Sequence, residues 1–165
     1  MTTTIHTIKD FLAAEVEILS RMNAPSHLGG YRSLGDFILK SGRSFAPSSL
    51  PSEVKRGRMK ECYKNCASAV LFDHAPFTYC EGYAVGVIPV MHAWLCDVDG
   101  NAIDPTWKDG VEYFGVAINA TYLRRTIMKN KVYGVIDNWQ KQWPILTDDP
   151  KLWRHPIMDT LKTEP

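Results

Sequence analysis

No stretch of this sequence stays apolar long enough to span a bilayer, and its opening residues, Met1-Thr2-Thr3-Thr4-Ile5-His6, carry no basic segment followed by an apolar one. A cytoplasmic protein without a membrane anchor is therefore expected. An excess of either charge is also lacking: 19 Lys and Arg against 18 Asp and Glu leave a net charge of +1. That balance gives no global electrostatic case for binding a membrane surface or nucleic acid. Cysteine is scarce, with only Cys62, Cys66, Cys80 and Cys96, and no two form a Cys-x-x-Cys pair. In the cytosol all four are expected to be reduced. Cys62 and Cys66 would stand one helical turn apart, but no second ligand pair follows them, so neither a structural metal nor a cofactor is expected. Internal repeats are missing too.

What remains is an ordinary globular composition, 45% hydrophobic and 22% charged over 165 residues. This suggests one domain with a core of its own, centred on about residues 56–136. Thr7–Met22 has the periodicity of an amphipathic helix, with Ile8, Phe11, Leu12, Leu19 and Met22 on one stripe and Thr7 and Asp10 suited to its start. Ser33 opens a second short helix through Lys40, stopped by Ser41-Gly42. Arg43–Gly57, rich in Ser, Pro and basic residues, reads as a long loop bordering a site. Glu61–Phe72 reads as a helix whose small residues Ala67, Ser68 and Ala69 imply close packing on a sheet. Thr78–Val87 reads as a strand broken by Pro89. Val111–Ile118 reads as another strand, and a basic helix from about Tyr122 to Lys131 buries Leu123, Ile127 and Met128. Tyr133–Ile136 reads as a last short strand, and Trp139, Trp143 and Trp153 as staples of a Pro-punctuated tail.

Met91–Trp107 has the pattern of a β-hairpin. Met91, Ala93 and Leu95 alternate with His92, Trp94 and Cys96, Asp99-Gly100 makes the turn, and Pro105 ends the pairing. A two-residue loop pairs Leu95 with Asp104 and puts Asp104 on the face opposite His92. A three-residue loop with a Gly bulge pairs Trp94 with Asp104 and brings Asp104 to the face of His92. A His92–Asp104 couple needs the second register, or an Asp104 that curls back.

Cys62 at a helix start, His92 on a strand and Asp104 near the next strand are the residue types a thiol nucleophile needs. The unpaired N–H groups of a helix start favour an anionic sulfur and can hold an oxyanion. The histidine shares the thiol proton, and the carboxylate orients the ring. Taken singly, such residues are more often packing, packing and a turn. Their neighbours sharpen the reading. Cys62 with an Ala-rich helix, Gly82-Tyr83, His92-Ala93-Trp94-Leu95 and Asp104-Pro105-Thr106 together resemble the transglutaminase-like branch of the papain-like superfamily. The resemblance spans roughly Cys62–Trp107, and its specific part is the His-Ala-Trp and Asp-Pro-Thr pair. Glu61 departs from it, standing where that branch usually has Gly or Trp.

The resemblance implies an α+β fold with the Cys helix packed on an antiparallel sheet or half-barrel. It also implies Cys62, His92 and Asp104 as nucleophile, base and orienter. The expected activity is acyl transfer through a covalent acyl-enzyme, as a peptidase, amidase, deamidase or transglutaminase. Expected substrates are a peptide, a protein side-chain amide or a small amide. The alternative is a catalytically inactive binding module on the same fold. Trp94, Glu81, Asn65 and Trp107 are candidates for substrate contacts, Asn65 or Glu81 as support for an oxyanion. Glu81 also reads as an exposed edge residue, and Trp94 as a shield over the His–Asp pair that fills the core. His6, His27, His74 and His155 fall in tails or turns and read as solvated. A nucleic-acid surface built from Arg56, Arg58, Lys60, Arg124, Arg125 and Lys129 would need them on one face and bind in a salt-sensitive way.

Overall fold

Most of the longer helices start where a short polar side chain caps them. Thr7 Oγ1 accepts the Asp10 N–H at 3.1 Å while Asp10 Oδ2 accepts the Thr7 N–H at 3.0 Å, a reciprocal capping box that opens α1, Ile8–Arg21. Ser33 accepts the Asp36 N–H at 3.0 Å and opens α2, Leu34–Ser41. Asn119 accepts the Thr121 N–H at 2.8 Å and opens α4, Ala120–Asn130. The helix between them, α3, Cys62–Leu71, has no side-chain cap, and its first helical residue is Cys62. The computed structural model describes residues 7–26 and 28–160. It is a mixed α+β fold.

The strands are β1 (Arg43–Ser48), β2 (Thr78–Val85), β3 (Pro89–Cys96), β4 (Asn101–Ile103) and β5 (Glu112–Ile118). They close into a barrel in the order β1-β4-β3-β2-β5. The sheet is thus neither open nor wholly antiparallel, because β1 runs parallel to β4 and antiparallel to β5.

Two expectations fail here. Arg43–Gly57 is not one long loop, since its first six residues are β1. That strand hides one side chain, Phe45, and leaves most of the others in water, so no alternation marks it in the sequence. It also puts a barrel strand ahead of the expected 56–136 core. The strand from Thr78 does end before Pro89, at Val85, while Pro89 itself starts β3, where a missing donor is tolerated. Tyr133–Ile136 forms no strand. The N–H groups of its last two residues bond a buried carboxylate instead.

Inside the barrel, Trp94 of β3 reaches across to Phe45 of β1 and Tyr113 of β5, with ring centroids 5.5 and 5.2 Å away. Gly115 makes room for that indole, because a Cβ there would lie 2.8 Å from its outer edge. Outside, α1 and α2 pack on each other and on β5, and α3 packs on β2 and β3. In α4 the buried residues are Tyr122, Leu123 and Thr126, while Met128, expected inside, is exposed. Of the tail tryptophans, Trp153 is buried edge-on against Phe37 of α2, whereas Trp139 is 65% exposed and staples nothing.

Candidate active site

The hairpin turn sets the site. Asp97 N–H bonds Asn101 O at 3.2 Å, Gly100 has φ of 86°, and the pairs Cys96–Ala102 and Leu95–Ile103 follow. This is the three-residue loop with a Gly at the left-handed position, the register in which Trp94 would lie opposite Asp104. Asp104 consequently comes to the side of His92. His92 Nε2 and Asp104 Oδ2 are 2.8 Å apart.

Asp104 is tightly bound. Its Oδ2 also accepts the Tyr113 hydroxyl at 2.8 Å, and its Oδ1 accepts the N–H groups of Thr106 at 2.7 Å and Trp107 at 2.9 Å. Pro105 has no N–H to compete for that turn. Burial pushes the Asp104 carboxyl up, but the bonds and charge of His92 and the two backbone donors outweigh it and hold it below the ordinary value.

Beside Asp104, the ring's other influential neighbour is Cys62, whose hydrogen bond and charge act on its proton. Burial pulls the imidazole pKa down, yet Asp104 and Cys62 together push it up to about 9. At neutral pH the imidazole is therefore held in its protonated form. The ring is 2% exposed and the Cys62 side 8% exposed, and the half-buried Trp107 indole stacks on the imidazole at 4.0 Å, 21° from parallel.

Chain-to-chain bonds hold the Cys62 end. Gly57 N–H bonds Pro105 O at 2.8 Å, and Asn65 Nδ2 donates to Arg58 O and Thr106 Oγ1, both at 2.8 Å. The segment entering α3 is thereby tied to the Asp-Pro-Thr turn. Asn65 is thus committed to the frame, and its amide donates there rather than to an oxyanion. The first N–H groups of α3 have no partner within the helix and provide that polarity by geometry.

Two further expectations are corrected. Trp94 is wholly buried inside the barrel and cannot touch a substrate. Glu81 is wholly buried as well, not at an exposed edge. The pleat turns it away from His92, whose cross-strand partner is Gly82. Glu81 accepts the N–H groups of Val135, Ile136 and Asp137 and the Tyr79 hydroxyl, at 2.7–2.9 Å. Trp107 is the only one of the substrate-contact candidates placed beside the imidazole with part of its surface open. Tyr113 was not legible as a partner of Asp104, since only closure of the barrel brings β5 to that turn. His74 is exposed in a turn, His155 is half-buried and accepts the Ile157 N–H, and His6 and His27 lie outside the described residues.

No family model matches this chain. No curated protein and no solved structure matches it significantly either. Among the described residues no three His, Cys, Asp or Glu side chains are grouped so as to hold a metal ion, and no helix is long and apolar enough to cross a membrane. The four cysteines are free and buried.

Proposed function

We propose that the protein is a cysteine-dependent acyl-transfer enzyme acting on an amide or related acyl bond, built on a papain- or transglutaminase-like core. The observation that carries the reading is the His92 ring held between Asp104 and Cys62, with its pKa raised to about 9 and Cys62 at the first position of a helix.

In this reading the proton shared by Cys62 and His92 rests on the imidazole, and the Cys62 sulfur attacks the acyl carbon. The first N–H groups of α3 stabilise the oxyanion of the tetrahedral intermediate. As the C–N bond breaks, the amine leaves with the proton from His92, and a thioester remains on Cys62. Water, or an acceptor amine, then adds to the thioester while His92 takes its proton. Collapse of that adduct expels the sulfur, which recovers a proton through His92. Asp104 keeps the ring in place through both steps and does not itself need to take the proton. Hydrolysis is favoured over amine transfer because water is always present and no amine site is evident around the sulfur.

Alkylation of Cys62 by iodoacetamide, followed by mass spectrometry from pH 5 to 10, tests this. Reaction faster than that of free cysteine below pH 7, lost in His92→Ala, is the expected result. A rate equal to free cysteine and indifferent to His92→Ala would overturn the enzyme reading and leave the same fold as a binding module.

A further inference from the structure

A cleft of about 400 Å³ is lined in part by Trp107, the indole that stacks on His92. Trp107, Met59, Val87, Ile88 and Val90 form its apolar wall, and Lys108 and Asp109 border it. Met59 is three residues before Cys62, and Val90 is two before His92, so the cleft adjoins both reactive groups along the chain. Val87 is 95% exposed, and Ile88 and Met59 are each 65% exposed. Branched and thioether side chains on a tight turn and its neighbour are left facing water beside a reactive pair, at a cost of about 25 cal/mol per Å² of apolar surface. Pocket volumes of several hundred Å³ with an apolar wall and few polar groups are typical of small-ligand sites.

We infer that this cleft is the specificity pocket of the enzyme, and that it takes a large apolar group, aromatic or branched aliphatic, carried on the substrate near the reacting acyl bond. The inference rests on the acyl-transfer reading for its purpose but not for its binding, since Trp107 joins the two. A ring entering the cleft meets the Trp107 side chain and so covers part of the indole that stacks on the imidazole.

Two measurements test it. The first is binding. N-benzylacetamide is titrated into the full chain and followed by the Trp107 indole NMR signal, assigned by its loss in Trp107→Phe, with N-methylacetamide as control. N-benzylacetamide is expected to bind at least about tenfold more tightly than the methyl compound, as burial of one ring predicts. The Val87→Asp/Ile88→Asp double variant, altered at two exposed positions, is expected to remove the difference. The second is reactivity. N-benzyl-2-chloroacetamide should alkylate Cys62 faster than 2-chloroacetamide, with the ratio corrected for that of free cysteine and collapsing in the same double variant. Equal binding of the two acetamides overturns the pocket assignment, whatever Cys62 does. Preferential binding of the benzyl compound with an inert Cys62 supports the pocket and overturns the acyl-transfer reading.

Discussion

At the scale of single residues, Asp104 is surrounded by donors on both oxygens, which makes its charge hard to replace. In Asp104→Asn the new amide NH2 faces either His92 and Tyr113 or the two backbone N–H groups, whichever way it turns. Two donors then point at a donor, and we expect a loss of about 2–3 kcal/mol of stability at pH 6. The imidazole also loses its anionic partner. His92 is held above its ordinary 6.5, at about 9. A histidine raised in this way stabilises the fold fully below pH 6.5, and that contribution fades as pH rises through 9. Unfolding by denaturant should therefore show a gap between wild type and Asp104→Asn that narrows from pH 6 to pH 10. In parallel, NMR titration of the His92 ring should move well below 9. A gap that does not change with pH would mean that the couple carries no net charge interaction.

At the scale of elements, what could be read from the sequence tracks what is encoded locally. The caps Thr7, Ser33 and Asn119 act on residues two or three positions away, and all three open helices where their side chains imply. The hairpin signal at Asp99-Gly100 is equally local, and only the choice between two loop lengths needed the structure. Strand β1 is the opposite case. Its partners, Asn101–Ile103 and Tyr113–Gly115, lie more than fifty residues on, and only Phe45 turns inward. Arg43-Ser-Phe-Ala-Pro-Ser48 is a strand because barrel closure offers it two ladders, not because its composition favours one. Its hold should then rest largely on Phe45. In Phe45→Ala the ring against Trp94 is lost and a cavity opens in the barrel interior, so a loss of about 3–4 kcal/mol is expected in thermal or denaturant unfolding. Hydrogen exchange should rise first at β1 and at the facing N–H groups of β4 and β5. Slow exchange at β1 in that variant would mean that the ladders alone suffice.

At the scale of the whole molecule, the candidate site legible in the sequence is a set of side chains, while its support comes from far along the chain. Glu81 of β2 gathers three successive N–H groups at Val135–Asp137, and the Asp137 carboxylate accepts the Tyr63 hydroxyl at 3.0 Å. Tyr63 follows Cys62 directly in α3. A bonded route thus runs from the sheet through the tail-side segment to the first turn of the helix that carries Cys62, and no local pattern announces it. Burial drives the Glu81 carboxyl up from 4.5 to about 7, against the pull of the Asp137 and Val135 N–H groups and the Tyr79 hydroxyl. An acid raised in this way binds its proton more tightly folded than unfolded. Its contribution is fully present below pH 4.5 and declines as pH rises through 7, a lower window than that of His92. Glu81→Gln sets an amide NH2 against those donors, and we expect it to cost about 2 kcal/mol, while Tyr63→Phe, which leaves Asp137 one donor short, should cost about 1 kcal/mol. If the route acts as one unit, breaking its first link should already loosen the second. The double variant should then lose less than the sum of the two by at least about 0.5 kcal/mol in denaturant unfolding at pH 8. Strict additivity would mean that the tail-side segment clamps the sheet without positioning the helix that carries Cys62.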